Sequence, residues 1–186
     1  MAAWNVLATS HEGRRDTLLI ALRRLGRFRR GGYRNVLVGQ VDDHAEFLGR
    51  VRDGLGDSGT PSPAGDTMLR GSLAKIVPID ATVRLEPATA LDVLAEAIVP
   101  FVDRLPADRF FVRVERRGLK GRLHTPTIER ALGDRVWRTL EARGRVPRVD
   151  FADPDAILVV ETIGDEAGIG LLSRELRAEF PFVRVR

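Results

Sequence analysis

The sequence predicts an α/β protein of mixed α+β character, built as two small domains. Three observations predict it. Short apolar runs rich in β-branched residues alternate with segments whose leucines recur every three or four residues, as strands alternating with amphipathic helices do. The pattern breaks near Glu86-Pro87, which divides the chain into an N-terminal domain, 1–86, and a second domain, 87–186. The 186 residues, 44% hydrophobic and 30% charged, have the composition of a globular chain long enough to bury a real core.

The N-terminal half reads β-α-β-α-β. "WNVLATS" (4–10) is a short strand. "RRDTLLIALRRLG" has the helical period, with Leu18, Leu22 and Leu25 on one side and Arg14, Arg15, Arg23 and Arg24 largely on the other. "RFRRGGYR" (27–34) reads as a bend and "NVLVGQV" (35–41) as the second strand. Asp42 and Asp43 are suited to cap the helix "HAEFLGRVRDGL", because carboxylates accept from its free N–H groups. Residues 54–66, rich in Gly, Ser and Pro, are a loop. "SLAKIVPIDATVRL" (72–85) is extended, with a break or edge at Pro78. The order is that of a ferredoxin-like sandwich.

In the second half, "ATALDVLAEAIVPFVDRL" carries Leu91, Leu94, Ile98, Val102 and Leu105 as a helical stripe that Pro100 kinks or divides. "RFFVRVE" is a strand. Thr125 as N-cap and Pro126 at the first helical position announce a helix with the stripe Ile128, Leu132, Val136 and Leu140, ending near Gly144. "RVDFADPD" is a connector, "AILVVETI" (156–163) a strand and "GDEAG" a turn into a returning hairpin strand. "SRELRAEF" is a short helix, and "FVRVR" closes the domain as a strand.

Charge is segregated along this framework. Residues 1–41 carry a balance of +6, 42–110 of −5, 111–148 of +7 and 149–186 of −4. Twenty-eight of the thirty cations are Arg, as compositional bias would produce, but bias in the choice of cation does not sort sign into blocks. There is no cysteine, which excludes disulfides, thiolate metal sites and a cysteine nucleophile. No apolar run approaches the ~20 residues that span a bilayer, and "MAAWNVLATS" is too short and polar for a signal peptide. The expectation is a cytoplasmic protein with no membrane association.

No phosphate loop, dinucleotide fingerprint, H-E-x-x-H or recognisable nucleophile setting is present, so neither a cofactor nor a metal is expected. "IGDEAGI" (163–169) is a hairpin turn rather than a G-x-x-G nucleic-acid clamp, since its glycines are one residue too far apart and Asp165 and Glu166 would repel phosphate. "GLKG" (118–121) has that clamp's spacing but follows a strand, where the clamp joins two helices. A metal held by Asp150, Asp153 and Asp155 is the enzymatic alternative, set against the usual turn-making role of such residues.

The binding signals are stronger. "RRGLKGRLH" (116–124) places Arg116, Arg117, Lys120 and Arg122 on a bend between a strand and a helix N-terminus. Glycines there permit close backbone approach, the helix end favours phosphate oxygens, and arginine supplies a planar fork that matches them. His124 donates to phosphate, stacks on a base or packs beside the cap, three roles the residue type allows. "RFRRGGYR" is built similarly from Arg27, Arg29, Arg30 and Arg34, with Tyr33 the better stacking candidate and Phe28 a core residue. The phosphate contacts expected are Arg29, Arg30, Arg34, Arg116, Arg117, Lys120 and Arg122, on one electropositive face across both domains.

"RVERRGLKGRLHTPTIERALG", followed by "VDFADPDAILVVETIGDEAGIGLLSREL", resembles a THUMP domain, through the strand, basic bend and helix, the Asp150–Glu161 pattern and the "GIGLL" return. "WNVLATS", "LRRLG" and "YRNVLVGQVDD" resemble the ferredoxin-like domain that precedes THUMP domains. The resemblance implies binding of the acceptor-end region of tRNA. It further implies a module without a catalytic domain that presents tRNA to a separate modifying enzyme, the nearest likeness being the adaptor of a tRNA cytidine acetyltransferase. The alternative is a protein–protein adaptor whose basic face meets an acidic partner, with RNA affinity incidental.

Overall fold

The computed structural model describes residues 4–56, 66–118 and 124–185. Two compact units divide them. One comprises residues up to Pro78 together with Phe180–Arg184, and the other runs from Ile79 to Glu179. This differs from the division at 86/87 read from sequence, for a physical reason. Residues on either side of Pro78 pair with different sheets, and the chain's last residues hydrogen-bond back to the first unit.

In the first unit, β1 (Val6–Ser10), α1 (Arg15–Leu22), β2 (Arg27–Arg30), β3 (Val36–Gln40), α2 (His44–Leu55), α3 (Thr67–Ser72) and β4 (Leu73–Pro78) form a four-stranded sheet of order β2-β3-β1-β4 with helices. Every neighbouring pair is antiparallel. This is the β-α-β-β-α-β arrangement with one extra short helix. The buried strands β1 and β3 lie at its centre, and Leu18, Leu19, Ala21 and Leu22 of α1 are buried. Asp43 caps α2 as its side chain accepts from Glu46 N at 2.7 Å, and Asp66 caps α3 by accepting from Met68 N at 2.8 Å.

Two segments differ from what the sequence predicts. Arg27–Arg30 is a strand and not part of a bend. It pairs with Val36–Gln40, so "RFRRGGYR" is one arm and the turn of a β-hairpin. Phe28 anchors that arm, buried and stacked on Phe47 of α2 at 5.6 Å between ring centroids. Its ring lies over Gly39, where an added Cβ would come within 2.3 Å of it. The terminal "FVRVR" is likewise no full strand: Val183 makes a single parallel bridge to Ile76, and Ile76 N donates to Phe182 O at 2.9 Å. Phe180 and Val183 are buried by this return.

The second unit contains β5 (Ala81–Arg84), α4 (Ala90–Val102), β6 (Arg109–Glu115), α5 (Thr125–Ala142), β7 (Arg148–Val149), β8 (Ala156–Ile163), β9 (Glu166–Ser173) and α6 (Arg174–Glu179). The sheet order is β5-β9-β8-β6-β7. β6 pairs in parallel with β8 and β7, while β8–β9 and β9–β5 are antiparallel. The core joins Leu94, Ile98 and Val102 of α4 and Ile128, Leu132, Val136 and Leu140 of α5 to alternate residues of β6 and β8. Each such side chain contributes ~1.5–3 kcal/mol on burial.

The α5 stripe is as expected, and α4 runs through Pro100 to Val102, but Leu91 is exposed and Ala90 takes its place. His124, not Thr125, is the N-cap residue of α5. Among the described residues no helix is long and apolar enough to cross a membrane.

Candidate nucleic-acid interface

The bend after β6 starts from an ion cluster. Glu115 and Glu161 stand opposite one another in the parallel β6–β8 register, and Glu161 is fully buried. Two like charges so placed repel. Arg117 answers both: its guanidinium reaches Glu115 at 3.1 Å and also pairs with Glu161. Its backbone is fixed too, since Arg117 N donates to Thr162 Oγ1 at 2.8 Å and Arg117 O accepts from Gly164 N at 3.1 Å. With a side chain only 14% exposed, Arg117 is the anchor of the bend rather than the phosphate contact expected of it.

Arg116 is different. Its Nη1 donates to Gly118 O at 2.9 Å, its buried Nε has no hydrogen-bond partner, and no carboxylate pairs with it among the described residues. Gly118 adopts φ of 100°, a conformation that a side chain would strain. Lys120 and Arg122 lie outside the described residues. His124 is exposed, and its Nδ1 sits 2.9 Å from Thr127 Oγ1, which turns the ring toward the first turn of α5.

On the first unit's hairpin, Arg30 pairs with Asp16 at 3.0 Å and Arg34 pairs with Glu12. Burial works to raise the Asp16 carboxyl, but the Arg30 and Arg15 guanidiniums hold it below its ordinary value. Both arginines are therefore partly compensated, and both pairs are exposed, where water screens them. Tyr33 is half-buried in the loop, its carbonyl accepting from Val36 N at 3.3 Å. Arg29 has no carboxylate partner among the described residues. It lines a cleft of about 270 Å³ together with Arg23 and Arg27, two cations that the sequence reading did not select. The signal available for Arg27 was its two-residue spacing from Arg29, which on a strand places both on one face.

Asp150, Asp153 and Asp155 do not form a metal centre. Asp150 closes a turn by accepting from Ala152 N and Asp153 N, at 3.0 and 2.9 Å. Asp153 and Asp155 are held by Arg109 and Arg174. The Arg109 hydrogen bond, then that of Arg174, overcome the opposing effect of burial and bring the Asp155 carboxyl down to about 2. Among the described residues no group of three or more His, Asp or Glu is placed to hold a metal ion. A groove of about 300 Å³ also runs between α5 and the β6–β7 edge, lined by Phe111, Trp137 and Phe151 among others.

A domain whose mixed sheet of β5–β9 carries a basic bend between β6 and the helix α5 has the architecture expected from the resemblance. Residues 88–172, which lie within the second unit, match the model of the THUMP domain. About nine tenths of the chain also resembles solved structures. TrmN from Thermus thermophilus is 24% identical with a TM-score of 0.63, over 91% of this chain and 45% of that one. PH1313 from Pyrococcus horikoshii is 10% identical, with a TM-score of 0.56 over 91% of this chain and 54% of that one. A 4-thiouridine synthetase in complex with RNA and ATP is 13% identical, with a TM-score of 0.56 over 91% and 41%. At these identities the likeness is one of fold, and the chain spans about half the length of these relatives or less. No curated protein matches the sequence.

Proposed function

We propose that this protein binds the acceptor-end region of tRNA and presents it to a separate modifying enzyme, performing no chemistry itself. The observation that carries the reading is the THUMP domain of residues 88–172, with Arg116 unmatched by any carboxylate on its basic bend among the described residues. A guanidinium already desolvated and left without an anion gains most when a phosphate supplies one. The relative solved with RNA has the same fold, which fits the reading. The pairing of Asp153 and Asp155 with Arg109 and Arg174 supports a binding reading over a metal site at those carboxylates. The partner enzyme we favour is a tRNA cytidine acetyltransferase, and the compartment the cytoplasm.

The test is tRNA binding by filter retention at several salt concentrations. If about four phosphates are engaged, affinity falls about a hundredfold for a fourfold rise in salt. Arg116→Glu is expected to weaken binding about tenfold or more and to reduce the salt slope by about one. Unchanged affinity removes the bend from the interface.

A second reading, a protein–protein adaptor with incidental RNA affinity, is favoured by the apolar groove beside β7. There Phe151 is 70% exposed and Val149 43%. Competition separates the two: heparin displacing tRNA as readily as unlabelled tRNA does would support the adaptor reading.

A further inference from the structure

The cleft of the first unit has the makings of a subsite in its own right. Arg23 at the C-terminus of α1 and Arg27 and Arg29 on β2 converge on it, and its lining includes Trp4, Phe28 and Gln40. Two of the three arginines bond neutral groups. Arg23 Nε donates to Phe28 O at 3.2 Å, Arg27 Nη2 donates to Gln40 Oε1 at 3.1 Å, and none of the three has a carboxylate partner among the described residues. Their neighbours Arg15, Arg30 and Arg34 all have one.

Strand geometry explains the contrast. Residues two apart on a strand lie on one face, about 7 Å apart, so Arg27 and Arg29 stand together while Arg30 turns to the opposite face and meets Asp16 of α1. The cross-strand partners of Arg27 and Arg29, Gln40 and Val38, lie on the same face and line the cleft with them. Phe28 turns its ring with Arg30 to the opposite face, against Phe47, and lines the cleft through its backbone, so the apolar wall is supplied by Trp4, 3% exposed, and Val38. The volume, about 270 Å³, is slightly below that of most small-ligand pockets. Adjacent guanidinium forks select phosphate, and the indole of Trp4 among the lining residues offers an apolar surface to a planar ring.

We propose that this cleft holds a single nucleotide, its phosphate on Arg27 and Arg29 with Arg23 completing the cationic rim, and that this nucleotide belongs to the bound RNA. The inference rests on the RNA-binding reading and extends it to the ferredoxin-like unit. Trp4 gives a direct probe, because the chain's only other tryptophan, Trp137, lines the groove of the second unit.

The experiment follows tryptophan emission in a Trp137→Phe variant titrated with a short single-stranded oligoribonucleotide and, separately, with a nucleoside monophosphate. The oligonucleotide is expected to change Trp4 emission, and Arg27→Gln with Arg29→Gln to weaken that binding about tenfold or more, at unchanged thermal unfolding. Arg27→Lys with Arg29→Lys, retaining charge without the fork, is expected to recover only part. A monophosphate that saturates Trp4 as tightly as the oligonucleotide does would overturn the assignment to RNA in favour of a free nucleotide. An emission unmoved by either ligand would overturn the site. The same Gln pair is assayed for tRNA binding: retention at wild-type affinity defeats this inference while leaving tRNA binding intact, whereas failure of the unmodified protein to bind tRNA defeats both.

Discussion

At the scale of single residues, the decisive distinction lies between Arg116 and Arg117, adjacent in sequence and identical in type. Sequence offers no way to tell them apart, because what separates them is the parallel register that puts Glu115 against Glu161. Arg117 is consumed by those two carboxylates and Arg116 by none. Replacing Arg117 by Met is therefore expected to act through stability. It removes the cation shared by two carboxylates that face each other in a buried position, and is expected to lower the urea unfolding midpoint. An Arg117→Met protein of full stability that had lost tRNA binding would assign the residue to the RNA after all. Arg30 and Arg34 teach the same lesson at the surface, since Asp16 and Glu12 are brought to them by a hairpin and a helix start that sequence spacing does not connect.

At the scale of elements, periodicity exposed the helices and the central strands well. The α5 stripe of Ile128, Leu132, Val136 and Leu140 is wholly buried, and Ala156–Ile163 is the buried strand its β-branched run indicated. What periodicity concealed was β2, four residues of which three are arginines. An edge strand with one buried anchor, Phe28, looks like a loop until its partner is known. Gly39→Ala is expected to displace that anchor and destabilise the first unit by about 1–3 kcal/mol, as overpacking does, readable as a lowered unfolding midpoint.

The entry to β8 carries a pH prediction. Asp155 has a folded-state carboxyl lowered to about 2 by Arg109 and Arg174, below its value in the unfolded chain. Its contribution is therefore complete above about pH 4 and lost as pH falls toward 2. Asp155→Asn should lower stability at neutral pH and flatten the acid limb of a stability profile; an acid limb of unchanged steepness would show that the pair does not stabilise the fold.

At the scale of the whole molecule, the chain's order and its units are not collinear. Residues 180–184 follow the THUMP domain but cluster with the first unit, where Phe180 and Val183 are buried and Arg184 Nη2 donates to Ala74 O at 2.9 Å. The apolar "FPFV" run was legible as structured; its destination was not, because a single bridge to Ile76 leaves no mark in local pattern. The alternation of basic and acidic blocks was legible as a hint of polyanion binding. Folding pairs many of those charges internally, whereas Arg116 and the Arg23, Arg27 and Arg29 of the cleft are among the described residues that meet no carboxylate.

The most direct test of this account is the dissociation constant for tRNA as a function of salt, compared between the natural sequence and Arg116→Glu. The account predicts a steep loss of affinity with salt for the former, and weaker, less salt-sensitive binding for the latter. Two superimposable curves, or a natural protein that does not retain tRNA at low salt, would contradict it.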